Sequence, residues 1–272
     1  MPPISKLFLP PTPLAGCVMA GLFRDTRGAG LSAKDRVNHF PASPLVSVTL
    51  VEHGQLHLIP PGADWRVAEE QPEVPRLSAM APQPGPVSSW ARGDVVALTL
   101  GVYPDAWQAL GGEMSCTAVP QVFDAALDQF RRTRDPDAGW QKLCAALNHA
   151  WSQRDTGHRP KSLGSWAKSI ATRAALSDAG RSIRSIERRI KRYSGQTRQT
   201  LEFFAAFEQL HARSLDAAGR PLAEIAMDAG YADQSHMGRA VRRATGFTPA
   251  RLNKAIATEE PFWCYRLLGE RY

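Results

Sequence analysis

A chain of 272 residues with 43% hydrophobic and 22% charged side chains is long enough to bury two cores of ordinary size, which excludes wholesale disorder. No apolar run reaches the length of a membrane span, and the opening stretch MPPISKLFLPPTPLAG lacks the basic and long apolar regions of a secretory signal, so a cytoplasmic chain without membrane contact is expected. Of the formal net charge of +7, Lys161 to Lys254 hold 17 Lys and Arg against 8 Asp and Glu, a net of +9, which leaves −2 for the remainder and suits a polyanionic partner for this one third.

From the start to about residue 120 the chain reads as β-rich. Leu45 to Val51, Gln55 to Ile59 and Asp94 to Leu100 are rich in β-branched residues, and His53-Gly54, Pro60-Pro61-Gly62, Pro82 to Pro86 and Arg92-Gly93-Asp94 punctuate them as turns. Short strands so spaced predict a sandwich or a small barrel. After Pro120 the period changes. Phe123, Ala126, Leu127 and Phe130, then Trp140, Leu143, Cys144, Leu147 and Trp151, recur at helical spacing around Asp135-Pro136-Asp137, and predict two helices. Polar Arg154 to Ser162 reads as a linker, and Leu163 to Ala257 as helical throughout. The domains expected are therefore 1–120, a β-rich sensor; 121–160, a helical hairpin and linker; 161–257, an all-α domain; and 258–272, an aromatic C-terminal extension that packs on a partner subunit or, the favoured reading, back on the body. The fold class is α+β.

Within the all-α part lies an internal repeat of 51 residues. Ser182 to Gly195 aligns with Asp233 to Gly246. Each copy opens on a favoured N-cap residue, Ser182 or Asp233, and closes on a glycine. Each sets an apolar pair four apart, Ile186/Ile190 and Met237/Val241, on one helix face, with a basic residue between, Arg188 or Arg239. A helix upstream, Leu222 to Ala229, with Pro221 near its start and Gly230 at its end, completes a helix-turn-helix for the second copy. For the first copy, Leu163 to Ala179 is one helix or two, followed by a longer or irregular turn.

With the aliphatic pair buried, Arg184, Ser185, Glu187 and Arg188 stand on other faces of the first helix, and Gln234, Ser235, His236 and Arg239 on those of the second. Arg pairs with guanine, Gln with adenine and Glu with cytosine in the major groove, so these are the candidate base readers. Ser182 opens the first helix, and Lys191, Arg192, Arg242 and Arg243, towards the helix ends, are suited to phosphates. The segment Leu201 to His211 reads as a connecting helix with Phe203, Phe204, Phe207 and Leu210 buried. It would set two recognition helices roughly 34 Å apart, one turn of duplex.

The run Leu222 to Met237, with Arg239 and the closing Thr245-Gly246-Phe247-Thr248-Pro249, resembles the DNA-binding signature of the bacterial AraC/XylS regulators, I-A-x-x-x-G-[FY]-x-x-x-S-[HY]-[FM]-x-R followed by G-x-[ST]-P. The resemblance covers about Leu163 to Ala257 and is more divergent in its first half. It implies two helix-turn-helix units that read an asymmetric site on double-stranded DNA, with Arg184, Glu187 and Arg188 in one groove and Gln234, Ser235 and Arg239 in the next. It also implies a transcription activator that works with RNA polymerase, and a β-rich, cupin-like N-terminal domain that binds a small-molecule effector or forms a homodimer. Gly238, Ala240 and Val241 depart from the bulkier residues usual around Arg239, which predicts lighter packing there.

Other chemistries have less support. His39, His53 and His57 with Glu52 could suggest a cupin metal centre, but there is no H-x-H pair and no second ligand cluster. No nucleophile elbow, P-loop or dinucleotide fingerprint occurs. The cysteines, Cys17, Cys116, Cys144 and Cys264, are too scattered for a zinc site or for a thiol activated for DNA repair. No enzyme, metal or cofactor is expected. Phe40, Trp65, Trp90, Tyr103 and Trp107 either line an effector pocket or fill the core.

Overall fold

A computed structural model of the chain describes residues 1–115, 118–154, 157–177, 182–216 and 233–269, with side chains of the sixth helix described as far as residue 210. Eight strands come first: β1 (Ile4–Phe8), β2 (Val18–Asp25), β3 (Val37–Phe40), β4 (Val46–His53), β5 (Leu56–Ile59), β6 (Leu77–Met80), β7 (Val87–Ala91) and β8 (Val96–Val102). They form two antiparallel sheets. The larger has the order β1-β2-β8-β4-β6 and the smaller β3-β7-β5. The predicted strands at Leu45–Val51, Gln55–Ile59 and Asp94–Leu100 are β4, β5 and β8.

Side-chain alternation decides what each sheet face meets. On β8, Val96, Leu98, Leu100 and Val102 enter the main apolar core, whereas Ala97 and Thr99 point between the sheets. The first set packs under α1 (Pro104–Ala109), α2 (Gln121–Arg131) and α3 (Pro136–Trp151) through Trp107, Phe123, Phe130 and Leu143. Phe8 stacks on Trp140 with ring centres 5.1 Å apart. Each such side chain removed from water contributes about 1.5–3 kcal/mol, so helices and larger sheet hold one another. Gly21 is required beneath Trp140, because a Cβ there would lie 2.7 Å from the indole. The face between the sheets is different in kind. Arg24, Asn38, Ser89 and Thr99 line it beside Leu22 and Phe40.

Among the described residues six helices follow: α4 (Leu163–Leu176), α5 (Ile183–Ser194), α6 (Arg198–Asp216), α7 (Gln234–Thr245), α8 (Pro249–Thr258) and α9 (Trp263–Gly269). The apolar core continues from the β region into α4, where Trp166, Ile170 and Ala174 are buried, and reaches Ile190 of α5 and Leu201 of α6. Asp105 of α1 accepts from the Trp166 indole at 3.0 Å and from Arg173 at 3.2 Å, which pins α4 to the β region. A second apolar cluster joins Leu210, Met237, Val241, Leu252, Phe262 and Tyr265. The C-terminal segment folds back as expected. Trp263, Cys264 and Leu267 pack with Leu7, Leu22 and Phe40.

The expected helix from Leu163 is a single one ending at Leu176. The first part of the second helix-turn-helix, Leu222 to Ala229 with its turn, lies outside the described residues. Among the described residues no helix is long and apolar enough to cross a membrane, and no group of three or more His, Cys, Asp or Glu is placed to hold a metal ion.

Candidate nucleic-acid interface

The duplication at 51 residues extends into the hydrogen bonds. In α5 the Ser182 hydroxyl oxygen accepts from the Ser185 N–H at 3.2 Å, and in α7 the Asp233 carboxylate accepts from the His236 N–H at 2.6 Å. Such caps satisfy amides that the first helical turn leaves without partners. At the other end Ser194 and Thr245 each donate to the carbonyl four residues back, Ile190 or Val241, both at 2.8 Å. The same hydroxyls accept from Gln196 and Phe247 N–H. Gly195 and Gly246 then take left-handed φ values of 71° and 82°, which glycine adopts without strain. Thr197 and Thr248 cap α6 and α8 in turn. The repeat thus covers helix, exit turn and next cap. The Ser194/Thr245 correspondence is visible in the aligned sequences, but its role is readable only from geometry.

On α5, Arg184, Glu187, Arg188, Lys191 and Arg192 are exposed while Ile190 is buried; on α7, Gln234, Ser235, His236, Arg239, Arg242 and Arg243 are exposed while Met237, Ala240 and Val241 are buried. Among the described residues nothing pairs with the guanidinium groups of Arg184, Arg188 or Arg239. Two unpaired cations one helical turn apart on α5, and one on α7, are available to acceptors on a groove floor. Ile183, at the first position of α5, is 76% exposed, an aliphatic group suited to a thymine methyl.

Several predicted site residues have further duties. Ser182 and Ser185 are bonded to each other, hydroxyl to hydroxyl at 2.9 Å, so both serve the cap. Arg243 lies over the Phe203 ring at 4.1 Å, and Arg192 over Tyr193 at 5.3 Å. Lys191 and Arg192 also line an open groove of about 440 Å³ with Gln108, Glu113 and Met114, at the junction with the β region. Arg189 is a surprise. A third basic residue in the run, it is only 4% exposed and donates from Nε to the Ala174 carbonyl at 2.7 Å, closing the C-terminal end of α4. Its counterpart in the repeat is Ala240, a buried apolar position, which is the one sequence signal that separates Arg189 from Arg188.

Gly238 meets nothing within 4 Å, while Ala240 and Val241 are buried, so the small residues around Arg239 leave the outer face open and the inner face closed. The connector α6 buries Phe204 and Leu210, with Phe203 and Phe207 half-buried and stacked at 6.4 Å. Phe204 also meets Ala42 and Ala244. From inside α6, Glu208 accepts from the N–H of Leu163 at 2.6 Å and caps α4.

The residues weighed for other chemistry have ordinary surroundings. His57 shares Nδ1 with the Gln71 carbonyl at 2.9 Å. His39 sits against Phe262 and Phe247, and burial, aided by the Arg251 charge, pushes its imidazole down to about 4. Burial raises the Cys144 thiol to about 12 and the Cys264 thiol further, so neither is a thiolate at neutral pH. Tyr103 and Trp107 are core residues. Trp65 and Trp90 stack on each other, and Phe40 lines the space between the sheets.

Two capped, duplicated helices with buried aliphatic inner faces and cationic outer faces define a helix-turn-helix protein that binds DNA. Residues 175–255 match the family model described as a helix-turn-helix domain, and the run that resembles the AraC/XylS signature lies within them. None of the curated proteins compared with the chain matches it. Among solved structures, one of ToxT from Vibrio cholerae is similar at 10% identity and a TM-score of 0.41, covering 92% of this chain and 97% of that one. ToxT bound to (E)-4-(8-methylnaphthalen-1-yl)but-3-enoic acid is similar at 9% identity and 0.39, over 98% and 100%. ToxT bound to an unsaturated fatty acid follows at 12% and 0.38, over 79% and 93%. At these values the likeness is distant.

Proposed function

We propose that the chain is a transcription activator that reads an asymmetric operator through α5 and α7. Arg184, Glu187 and Arg188 face bases in one major groove, and Gln234, Ser235 and Arg239 in the next. His236 stands beside the second set, and Lys191, Arg192, Arg242 and Arg243 meet phosphates. The observation that carries this reading is the pair of identically capped helices whose free arginines point to solvent. In this reading residues 161–257 form the reading module and 1–120 sense a small-molecule effector or mediate dimerisation. Residues 121–160 join the two, and 258–272 are an extension. RNA polymerase is the partner through which activation is exerted. No catalysis is assigned.

Selection of bound duplexes from a random library with the full chain tests it. A split site whose two conserved halves lie about one helical turn apart is the expected product. Recovery of random sequence, at affinities that fall uniformly with salt, would refute base reading.

A further inference from the structure

The outer face of α5 is not wholly polar. Among the described residues the large apolar side chains left in water are Met1, Ile4, Leu9, Leu58, Leu176 and Ile183, and of these only Ile183 lies on α5 or α7. Ile186 and Ile190 of the same helix pack against the main core, whereas Ile183 belongs to none of the apolar clusters. Helix formation does not call for it either, since a β-branched side chain loses rotamer freedom there. Burial accounts for Ile186 and Ile190, and leaves Ile183 without a structural duty.

The repeat indicates what the position is for. Ile183 aligns with Gln234, as Ser182 does with Asp233 and Arg188 with Arg239. Each directly follows the residue that caps its helix. Gln234 is a candidate reader of adenine, so the matching place on α5 meets a base pair too. Few other side chains of the first turn are left for that task. Ser182 and Ser185 are bonded to each other, and Ile186 turns to the core. Ile183 and Arg184 remain, at the end of the helix whose residues meet base edges when a recognition helix enters the major groove. Ile183 and Glu187 form one row, Arg184 and Arg188 the next, with members of a row about 6 Å apart along the axis. The apolar group on the groove floor is the C5-methyl of thymine. The exposed cations around Ile183, namely Arg184, Arg188, Lys191 and Arg192, suit a polyanion better than an apolar protein surface.

We propose that Ile183 is a specificity-determining residue, selecting thymine through its methyl group at the base pair that corresponds to the one Gln234 meets in the other half-site. The proposal rests on the reading of α5 and α7 as base readers and adds a contact made without a hydrogen bond. Cytosine in that place offers a hydrogen in place of the methyl and an amino donor beside it, which an isoleucine cannot satisfy.

Titration of the full chain with the duplex recovered from the random library tests it, with deoxyuridine replacing thymine one position at a time. Deoxyuridine pairs as thymine does and lacks only the methyl. At one position the exchange is expected to weaken binding about fourfold, the effect of one buried carbon. Ile183→Ala should bind the thymine duplex more weakly and hold thymine and deoxyuridine alike at that position. Ile183→Val, which keeps a branched apolar end, should retain most of the preference. With cytosine placed there, methylation at C5 should strengthen binding by the unaltered chain and not by Ile183→Ala. Urea midpoints that match the unaltered chain's show that folding is unaffected, as expected for an exposed residue at a helix end. The proposal is overturned if no preference for thymine over deoxyuridine depends on Ile183. A loss of cognate affinity in Arg188→Ala would then leave the base-reading function standing. A chain that selects no specific duplex overturns both.

Discussion

Gln196 and Phe247 hold the same position in the two copies of the repeat, and both rest on one stretch of the β region. The Gln196 side chain donates to the Pro44 carbonyl at 2.9 Å, and the Phe247 ring lies 5.3 Å from that of His39. Between these points the Ala42 N–H donates to the Ala244 carbonyl at 2.7 Å. Residues 39–44 therefore touch the exit turns of both α5 and α7, so a shift of this stretch bears on both.

Gln196→Ala removes one bond of this bracket and leaves the recognition surface untouched. A loss of about 0.5–1.5 kcal/mol in unfolding free energy is expected from urea titration. Amide exchange should rise at residues 39–44 and at the end of α5. No change at either place would mean that the bracket contributes nothing.

Arg184→Ala and Arg239→Ala should each weaken cognate binding by about 1–3 kcal/mol and scrambled-duplex binding far less. Titrations on both duplexes at one salt concentration decide it. Equal losses on the two would show phosphate contact instead.

Arg188 and Arg189 are neighbours with opposite duties. Arg189→Ala strips a charged, buried hydrogen bond and should cost about 1.5–3 kcal/mol of stability, shown by a lower denaturant midpoint. Arg188→Ala should stay within about 0.5 kcal/mol in stability while losing cognate affinity. A stable Arg189→Ala would contradict the buried role.

The neutral imidazole of His39 makes docking pH-dependent. Its folded value of about 4 lies below the ordinary 6.5, because burial and the Arg251 charge disfavour the proton. The unfolded chain then takes up a proton first as pH falls. The contribution is full above pH 6.5, declines between 6.5 and 4, and is gone below 4. Its size is on the order of 3 kcal/mol. Urea midpoints from pH 7.5 to 4.5 should fall along that course, and His39→Phe, which keeps the ring contacts, should flatten the curve over this range.

The β-branched, turn-punctuated runs of β4, β5 and β8, the helical period of α2 and α3, and the repeat with its caps were all legible in the residues. Their signals are local, since a strand or helix face must alternate or recur at fixed spacing to bury anything. The site followed from the same logic, because an aliphatic inner face leaves the remaining positions outside. Arg189 escaped that logic. A run of basic residues looks alike whichever of them turns inward; the aligned Ala240 marks position 189 as an inner one, but the Ala174 carbonyl that accepts from Arg189, 15 residues away, appears only in the fold.

Composition, period and duplication by themselves determined a β-rich first part, a helical second part and two matching helices with basic outer faces. Tertiary structure alone decided that residues 39–44 bracket both helix ends, that Arg24 points between the sheets, and that Glu260 and Trp263 close over it, 236 residues from Arg24 in the first case. Such pairings depend on which faces meet after the chain has folded, and no spacing along the chain records the partner of a buried charge.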